Sequence, residues 1–239
     1  MDELNGILLV DKPEGPTSHD VVDAIRRRFG LKKVGHAGTL DPAASGLLIL
    51  LIGRSTKNSN HFLDQDKVYE GTMTLGIETD TGDREGKVLR QMPVEPISAS
   101  KLRDLFKQFE GEQEQVPPMY SAVKVQGKKL YQLARKGLSI ERQARRIRIQ
   151  KLELQKIQFP EINFLLHCSK GTYVRSLVED IGKALGSPAI LSRLRRISSG
   201  PFRIEEAVSL SHLLALQNQE LKSYLRTQDA SHLRAQAVS

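Results

Sequence analysis

Apolar positions follow two rhythms along this chain, and each predicts a different element. "GILLVDKP" runs its apolar residues together and predicts a short buried strand ending at Asp11, with Pro13 as the stop. "PTSHDVVDAIRRRFG" places Val21, Val22, Ile25 and Phe29 on one stripe. It predicts a helix, with Thr17 or Ser18 as the cap and Gly30 as the end. "GLLILLIG" is apolar at every side chain and predicts a central strand buried on both faces. "KVYEGTMTLG" alternates, with Tyr69, Gly71, Met73 and Leu75 on one face, and predicts a half-buried strand. "TDTGDREGKV" after it is rich in Asp, Gly and Thr and predicts turns.

The second half continues in the same way. "SASKLRDLFKQFEG" carries Leu102, Leu105, Phe106 and Phe109 at helical spacing, with Gly111 as the stop. "INFLLHCSKG" predicts a strand. "TYVRSLVEDIGKALGSP" predicts a helix with Val174, Leu177, Ile181 and Leu185 inward, ended by Gly186 to Pro188. "SLSHLLALQNQELKSYL" predicts a last helical region, and "RTQDASHLRAQAVS" a polar, frayed tail. Strands and helices alternate without a βαβ rhythm, so a mixed α+β sheet protein is the expected architecture.

Bulk properties narrow the class. The chain has 239 residues, enough to bury roughly 70% of its unfolded surface. One cysteine, Cys168, forms no intrachain disulfide and predicts a reduced, cytoplasmic setting. "MDELNGILLVDKPEG" does not read as a signal peptide, and "LLILLI" is far too short to span a membrane, so a soluble protein is expected. Lys plus Arg is 36 and Asp plus Glu is 28, which gives +8. From Lys124 to Lys156 eleven basic and two acidic residues give +9, so this stretch carries the whole excess. It reads either as a solvated charged face or as a strand-like or looped arm lying on phosphates.

Several chemistries find no support. The six histidines show no metal-ligand spacing, and no HExxH or CxxC occurs. The phosphate loop GxxxxGK[ST], the GxGxxG fingerprint and the GxSxG elbow are also missing from the sequence. What stands out instead is "HAGTLDPAASG", where Asp41 lies among Gly35, Gly38 and Gly46 with His36 five residues upstream. Asp41 before Pro42 fits a helix start, with Asp at the N-cap and Pro at the first helical position. It also fits a carboxylate held for chemistry near a cation, for which "GTYVRSLVEDIG" offers Arg175. Read alone, His36 is a surface or satisfied histidine, Tyr69 a core aromatic and Lys12 part of a solvated turn.

Taken in order, "DKPEGPTSHDVV", "VGHAGTLDPAASGLL", "KVYEGTMTLGIETDTGDREG", "PPMYSAVKVQGKKLYQLARKG" and "GTYVRSLVEDIGKALGSPAILSRLRRISSG" resemble the TruB family of tRNA pseudouridine synthases. The resemblance covers roughly residues 5 to 210, and its most specific block is G-T-L-D-P. It implies isomerisation of uridine to pseudouridine at position 55 of the tRNA T-loop, with no cofactor or metal. It implies a mixed, largely antiparallel sheet flanked by helices, with a central active-site cleft. Asp41 matches the nucleophile, Tyr69 the active-site tyrosine that stacks on the base, and Arg175 the arginine that pairs with the catalytic Asp. Tyr173 and Leu194 match residues of the uracil pocket, and His36 the residue that fills the gap left by the extruded base. The arm at about 124–152 matches a mobile loop that closes on the T-arm. Lys12 and, in the arm, Lys124, Lys128 and Lys129 are candidate substrate contacts.

The resemblance also fixes an expected layout: a catalytic domain over 1–208, then a short helical extension and polar tail over 209–239. No full C-terminal RNA-binding module is expected, and Ala37 stands where the family often has Thr. The expected partner is tRNA through its T-arm, bound by a monomer. A non-catalytic RNA binder or tRNA-folding chaperone is the alternative. Asp41 separates the two, because a pure binder has no use for a buried carboxylate near RNA. A scaffold subunit of a guide-RNA particle ranks third, since this chain lacks the long basic tail such a role would want.

Overall fold

Runs and alternations of apolar residues become strands in a computed structural model that describes residues 4–121, 123–125, 127–134, 137–138 and 140–226. In chain order its elements are β1 (Gly6–Lys12), α1 (Ser18–Arg28), β2 (Val34–Ala37), β3 (Ala44–Ile52), α2 (Ser59–Leu63), β4 (Lys67–Leu75), β5 (Ile77–Thr79), β6 (Val88–Gln91), α3 (Ala99–Gln108), β7 (Gly111–Gln115), β8 (Lys124–Val125) and β9 (Lys128–Lys129). Then come α4 (Leu130–Ala134), β10 (Arg145–Gln158), β11 (Glu161–Cys168), α5 (Val174–Ala184), β12 (Ala189–Ser199), β13 (Phe202–Arg203), β14 (Val208–Ser209) and α6 (Leu210–Ala215). Single 3-10 turns lie at Gly53–Asn58, Ile204–Glu206 and Glu220–Tyr224. The expected polar tail lies outside the described residues, apart from Arg226.

The chain divides into two compact units, one made of residues up to Val68 and from Arg195 onward, the other of Tyr69–Leu194. Strands β4 and β12 carry the chain from one to the other. In the first unit β1 and β3 pair antiparallel along the whole of β1, from Gly6↔Ile52 to Lys12↔Gly46. Strand β2 lines the outer half of β3, and β14 pairs with β1 in parallel. The run from Leu47 to Ile52 is buried throughout, as its unbroken apolar character predicts. Ile7, Leu9, Leu47, Ile49 and Leu51 pack with Phe62 and Phe202 into one cluster. Each such side chain contributes about 1.5–3 kcal/mol on burial.

Helix α1 forms where the Val21, Val22, Ile25 stripe predicts it. Thr17 and Asp20 close a reciprocal capping box: the Thr17 hydroxyl accepts from Asp20 N at 3.0 Å and Asp20 accepts from Thr17 N at 2.8 Å. Thr17 is therefore the cap, which leaves the Ser18 hydroxyl available for other contacts.

In the second unit β10 pairs antiparallel with β11 on one side and β7 on the other. Ile162, Phe164 and Leu166 of β11, Leu102 and Phe106 of α3, and Leu177 and Ile181 of α5 are buried. The fold is α+β, with antiparallel pairing in every named strand pair described here except β1–β14.

Three expectations needed correction. The turn segment after β4 contains a hairpin, β5–β6, whose second strand is exposed at all four residues. Without a buried face, β6 leaves no alternation to read. The last helical region is not continuous, since Leu216 is extended and the chain resumes only as a 3-10 turn at Glu220. Strand β12 has no apolar period to read, because basic residues interrupt its buried positions.

Candidate active site

Asp41 sits in a four-residue turn. Ala44 N donates to Asp41 O at 3.0 Å, and β3 begins at Ala44. Asp at the first position and Pro at the second suit such a turn. No helix follows, so the helix-cap reading of Asp41 is wrong.

Both neighbours of Asp41 are tied to the segment that leads into α1. Leu40 N donates to Ser18 Oγ at 2.8 Å, and Ser18 Oγ donates to Leu40 O at 3.0 Å. One buried hydroxyl thus satisfies both backbone groups of the residue before Asp41. On the other side, Gly15 N donates to Pro42 O at 2.9 Å. Lys12 Nζ donates to Pro16 O at 2.8 Å and Pro13 O at 2.9 Å, and reaches Pro42 O at 3.5 Å. Lys12 is 0% exposed, so it is no solvated turn residue. Carbonyl oxygens solvate its ammonium group, and this fixes the turn rather than presenting the charge to a phosphate.

The floor of the turn is Arg196, 1% exposed, on β12. Its Nε donates to Leu47 O at 2.7 Å and Nη2 to Gly38 O at 3.1 Å. Arg196 crowds both glycines that bracket the Asp41 loop, Gly46 through its backbone and Gly38 through its guanidinium. A Cβ on Gly46 would lie 2.3 Å from Arg196 O, and one on Gly38 would lie 3.2 Å from Arg196 Nη1. Both have positive φ, +102° and +96°, which disfavours any L side chain. Next along β12, Arg195 grips Asp11 with two hydrogen bonds, 3.0 and 2.8 Å, in a fork geometry. His36 pairs with Leu50 in the β2–β3 ladder, and its ring meets His19 edge to face at 5.7 Å. Ser18, Arg195 and Arg196 were not predicted as site residues. In the sequence Ser18 reads only as an alternative cap, and the capping box at Thr17 is the signal against that.

The second unit holds the other sequence candidates. Arg175, in the first turn of α5, is 6% exposed. Its Nη1 donates to Thr81 O at 2.8 Å and lies 3.6 Å from Asp83 Oδ2, and its Nη2 donates to Tyr120 O at 2.6 Å. Asp83 is held in turn by Thr81 Oγ1 at 2.6 Å and by Glu85 N at 3.1 Å. The Asp- and Thr-rich turn thus orients the guanidinium. Tyr173 is fixed through its backbone: its N–H donates to Gln115 Oε1 at 2.7 Å, and Gln115 Nε2 returns a bond to Tyr173 O at 3.1 Å. Tyr69 is 8% exposed on the apolar face of β4, as its alternation predicts. Leu194 is half-buried on β12. Asp41, Lys12 and His36 lie in the first unit, and Tyr69, Tyr173, Arg175 and Leu194 in the second.

The basic stretch splits in two. In the small β8–β9 hairpin the backbone register pairs Lys124 with Lys129 and Val125 with Lys128. From Arg145 onward the stretch is strand β10. There Arg146 stands opposite Glu114 and Arg148 opposite Glu112, and Lys151 pairs with Glu153 at 2.6 Å. Two of the nine excess charges thus face glutamates across the sheet.

Known proteins resolve the class. A model of the TruB family pseudouridylate synthase N-terminal domain matches residues 26–174, and one of the tRNA pseudouridylate synthase B C-terminal domain matches 175–230. The chain is therefore a pseudouridylate synthase by class. Among these it belongs to the TruB family. It is 48% identical over 223 residues to tRNA pseudouridine synthase B of Opitutus terrae, covering 93% of this chain and 92% of that protein. It is 49% identical over 207 residues to tRNA pseudouridine synthase B of Syntrophotalea carbinolica, covering 87% of this chain and 68% of that one. Among solved structures it resembles a chain in the crystal structure of a Cbf5–Nop10–Gar1 complex, with a TM-score of 0.72 and 31% identity. There it covers 92% of this chain and 59% of the other.

Proposed function

We propose that this protein isomerises uridine to pseudouridine at position 55, in the T-loop of tRNA. The observation that carries this reading is the Asp41 turn, a carboxylate whose two neighbours are both pinned by hydrogen bonds. Holding a reactive group in one geometry is itself a large part of catalysis. The relatives named tRNA pseudouridine synthase B support the substrate class.

The reaction breaks the N1–C1′ bond, turns the uracil and joins C5 to C1′. The proton on C5 leaves and N1 gains one, so no atom is added overall. The target base is first flipped out, at a cost of a few kcal/mol. His36 fills the vacated space. Asp41 acts as the nucleophile, on the sugar or on the base, and so holds the two halves of the substrate through the rotation. Tyr69 stacks on the base, Tyr173 and Leu194 wall the uracil pocket, and Arg175 keeps the reacting carboxylate ionised. The cations of the arm at 124–152, Lys124, Lys128 and Lys129 among them, contact T-arm phosphates. Lys12 supports the turn from beneath. The enzyme acts in the cytoplasm as a monomer. Among the described residues no helix is long and apolar enough to cross a membrane.

The test is conversion of an unmodified tRNA transcript, mapped by carbodiimide adducts, beside a transcript whose T-loop target uridine is cytidine. Conversion at that uridine alone is expected. Binding of the transcript with no pseudouridine formed would instead identify an RNA binder on an inherited fold.

A further inference from the structure

The helix that carries Arg175 begins without a cap of its own. Tyr173 stands extended at the N-cap of α5, and its side chain makes no capping bond. Tyrosine is not among the residues that cap helices well. The first turn of α5 holds no acidic residue either. What secures this helix start comes from β7 and the segment that follows it.

Ser176 Oγ donates to Val116 O at 3.4 Å, and Arg175 Nη2 donates to Tyr120 O at 2.6 Å. Both bonds end on backbone carbonyls. Gln115 is different, because it contributes its side chain. Its carboxamide accepts from Tyr173 N at 2.7 Å and donates to Tyr173 O at 3.1 Å. One planar group thus pairs with both polar backbone groups of a single residue, as a neighbouring strand would. The same Tyr173 carbonyl accepts from Leu177 N at 3.1 Å, the first backbone bond of the helix. Gln115 is 5% exposed, and its backbone stands opposite Arg145 in the β7–β10 ladder. The grip on Tyr173 is therefore anchored in a paired strand.

We propose that Gln115 is a positioning residue for the isomerisation: it holds the backbone of Tyr173 so that the ring stands in one place against the uracil. This rests on the reading above, in which Tyr173 walls the uracil pocket. The carboxamide itself touches no substrate. Its loss leaves Arg175 bonded to Thr81 O and Tyr120 O, and Ser176 to Val116 O, so α5 stays docked while Tyr173 is released. The base turns in this pocket after its bond to the sugar breaks. A loosened wall lets it settle in orientations from which C5 does not reach C1′.

The experiment compares the single-turnover rate on an unmodified tRNA transcript at saturating enzyme with the dissociation constant for the same transcript. Gln115→Met should lose about tenfold or more in rate, with affinity kept within about twofold. Gln113→Met is the control. Gln113 lies on the same strand, but its side chain donates to Phe109 O at the end of α3, at 2.7 Å. Its rate should stay within about twofold of wild type. Gln115→Glu still accepts from Tyr173 N but, ionised, has no donor for Tyr173 O, so its rate should fall between wild type and Gln115→Met. It carries the test if the Met variant does not fold. In a Tyr173→Leu background, adding Gln115→Met should cost less than about threefold, because the ring it positions is gone. Wild-type rates for the Gln115 variants would overturn the proposal, as would an equal fall for Gln113→Met or an undiminished loss in the Tyr173→Leu background. If wild type forms no pseudouridine, the enzymatic reading fails and the proposal fails with it. If wild type converts the transcript and Gln115→Met converts it as fast, the proposal alone fails.

Discussion

The two ends of the β2–β3 hairpin are built on opposite principles. At the Asp41 end the backbone is tied down on every side, by Ser18, Gly15, Lys12 and Arg196. At the Lys33 end Lys32, Lys33, Arg54 and Lys57 are all exposed, and among the described residues none of the four side chains forms an ion pair. Chemistry needs a group fixed to within a fraction of an ångström, and a charge carried into solvent does not. One strand serves both, buried from Gly46 to Ile52 and free to be specialised at each end.

The strongest way to break this contrast is at Arg196. Arg196→Met removes two charge-assisted hydrogen bonds and strands the Leu47 and Gly38 carbonyls, at a cost of about 3 kcal/mol or more. Thermal unfolding should show a large loss of Tm, and refolded protein should convert tRNA poorly. Ser18→Ala is milder. It leaves Leu40 N–H and C=O unpaired but keeps the helix cap on Thr17. A loss of about 1–2 kcal/mol in stability and about tenfold in single-turnover rate is expected, with tRNA affinity unchanged. Ser18→Thr, which keeps the hydroxyl, should recover most of the rate. A drop in affinity rather than rate for Ser18→Ala would place the residue in binding instead.

The smallest effect lies outside the hairpin, at Glu179 on α5. Burial raises its carboxyl above the ordinary range, opposed mainly by Lys183. A raised carboxyl means the folded state binds the proton more tightly than the unfolded state. Stability is therefore greater at low pH and falls as pH rises through the ordinary glutamate range and above. Glu179→Gln should raise Tm slightly at pH 7, and the difference should vanish toward pH 4, with no change in rate. A difference that instead grew on acidification would reverse this assignment.

The strands and helices with a buried face were legible in the sequence, because their apolar period is the direct record of that face. The element β3 shows this at its clearest. The Asp41 turn was legible only in part. Asp-Pro suits a helix cap and a tight turn equally, and what decides is the unbroken apolar run after Gly46, which demands a strand. The motif that carries the family likeness named Asp41, Tyr69 and Arg175, but not the residues that hold them. Arg196 meets Leu47 across 149 positions of sequence. In "RLRRI" nothing distinguishes the fully buried arginine from the other two, because strand register decides it. Gln115 behind Tyr173 and Asp83 beside Arg175 were hidden for the same reason. The charge of β10 was visible, but its opposite glutamates on β7 were not.

The central claim is that the fixed Asp41 carboxylate performs the isomerisation. Single-turnover conversion of a tRNA transcript by wild type and Asp41→Asn, at enzyme concentrations that saturate binding for both, tests it most directly. The account predicts equal binding, equal thermal stability within about 1 kcal/mol, and a rate lower by more than about 10³-fold in the variant. Conversion by Asp41→Asn at a rate near wild type would contradict it, and would leave the turn as a structural feature with the chemistry elsewhere.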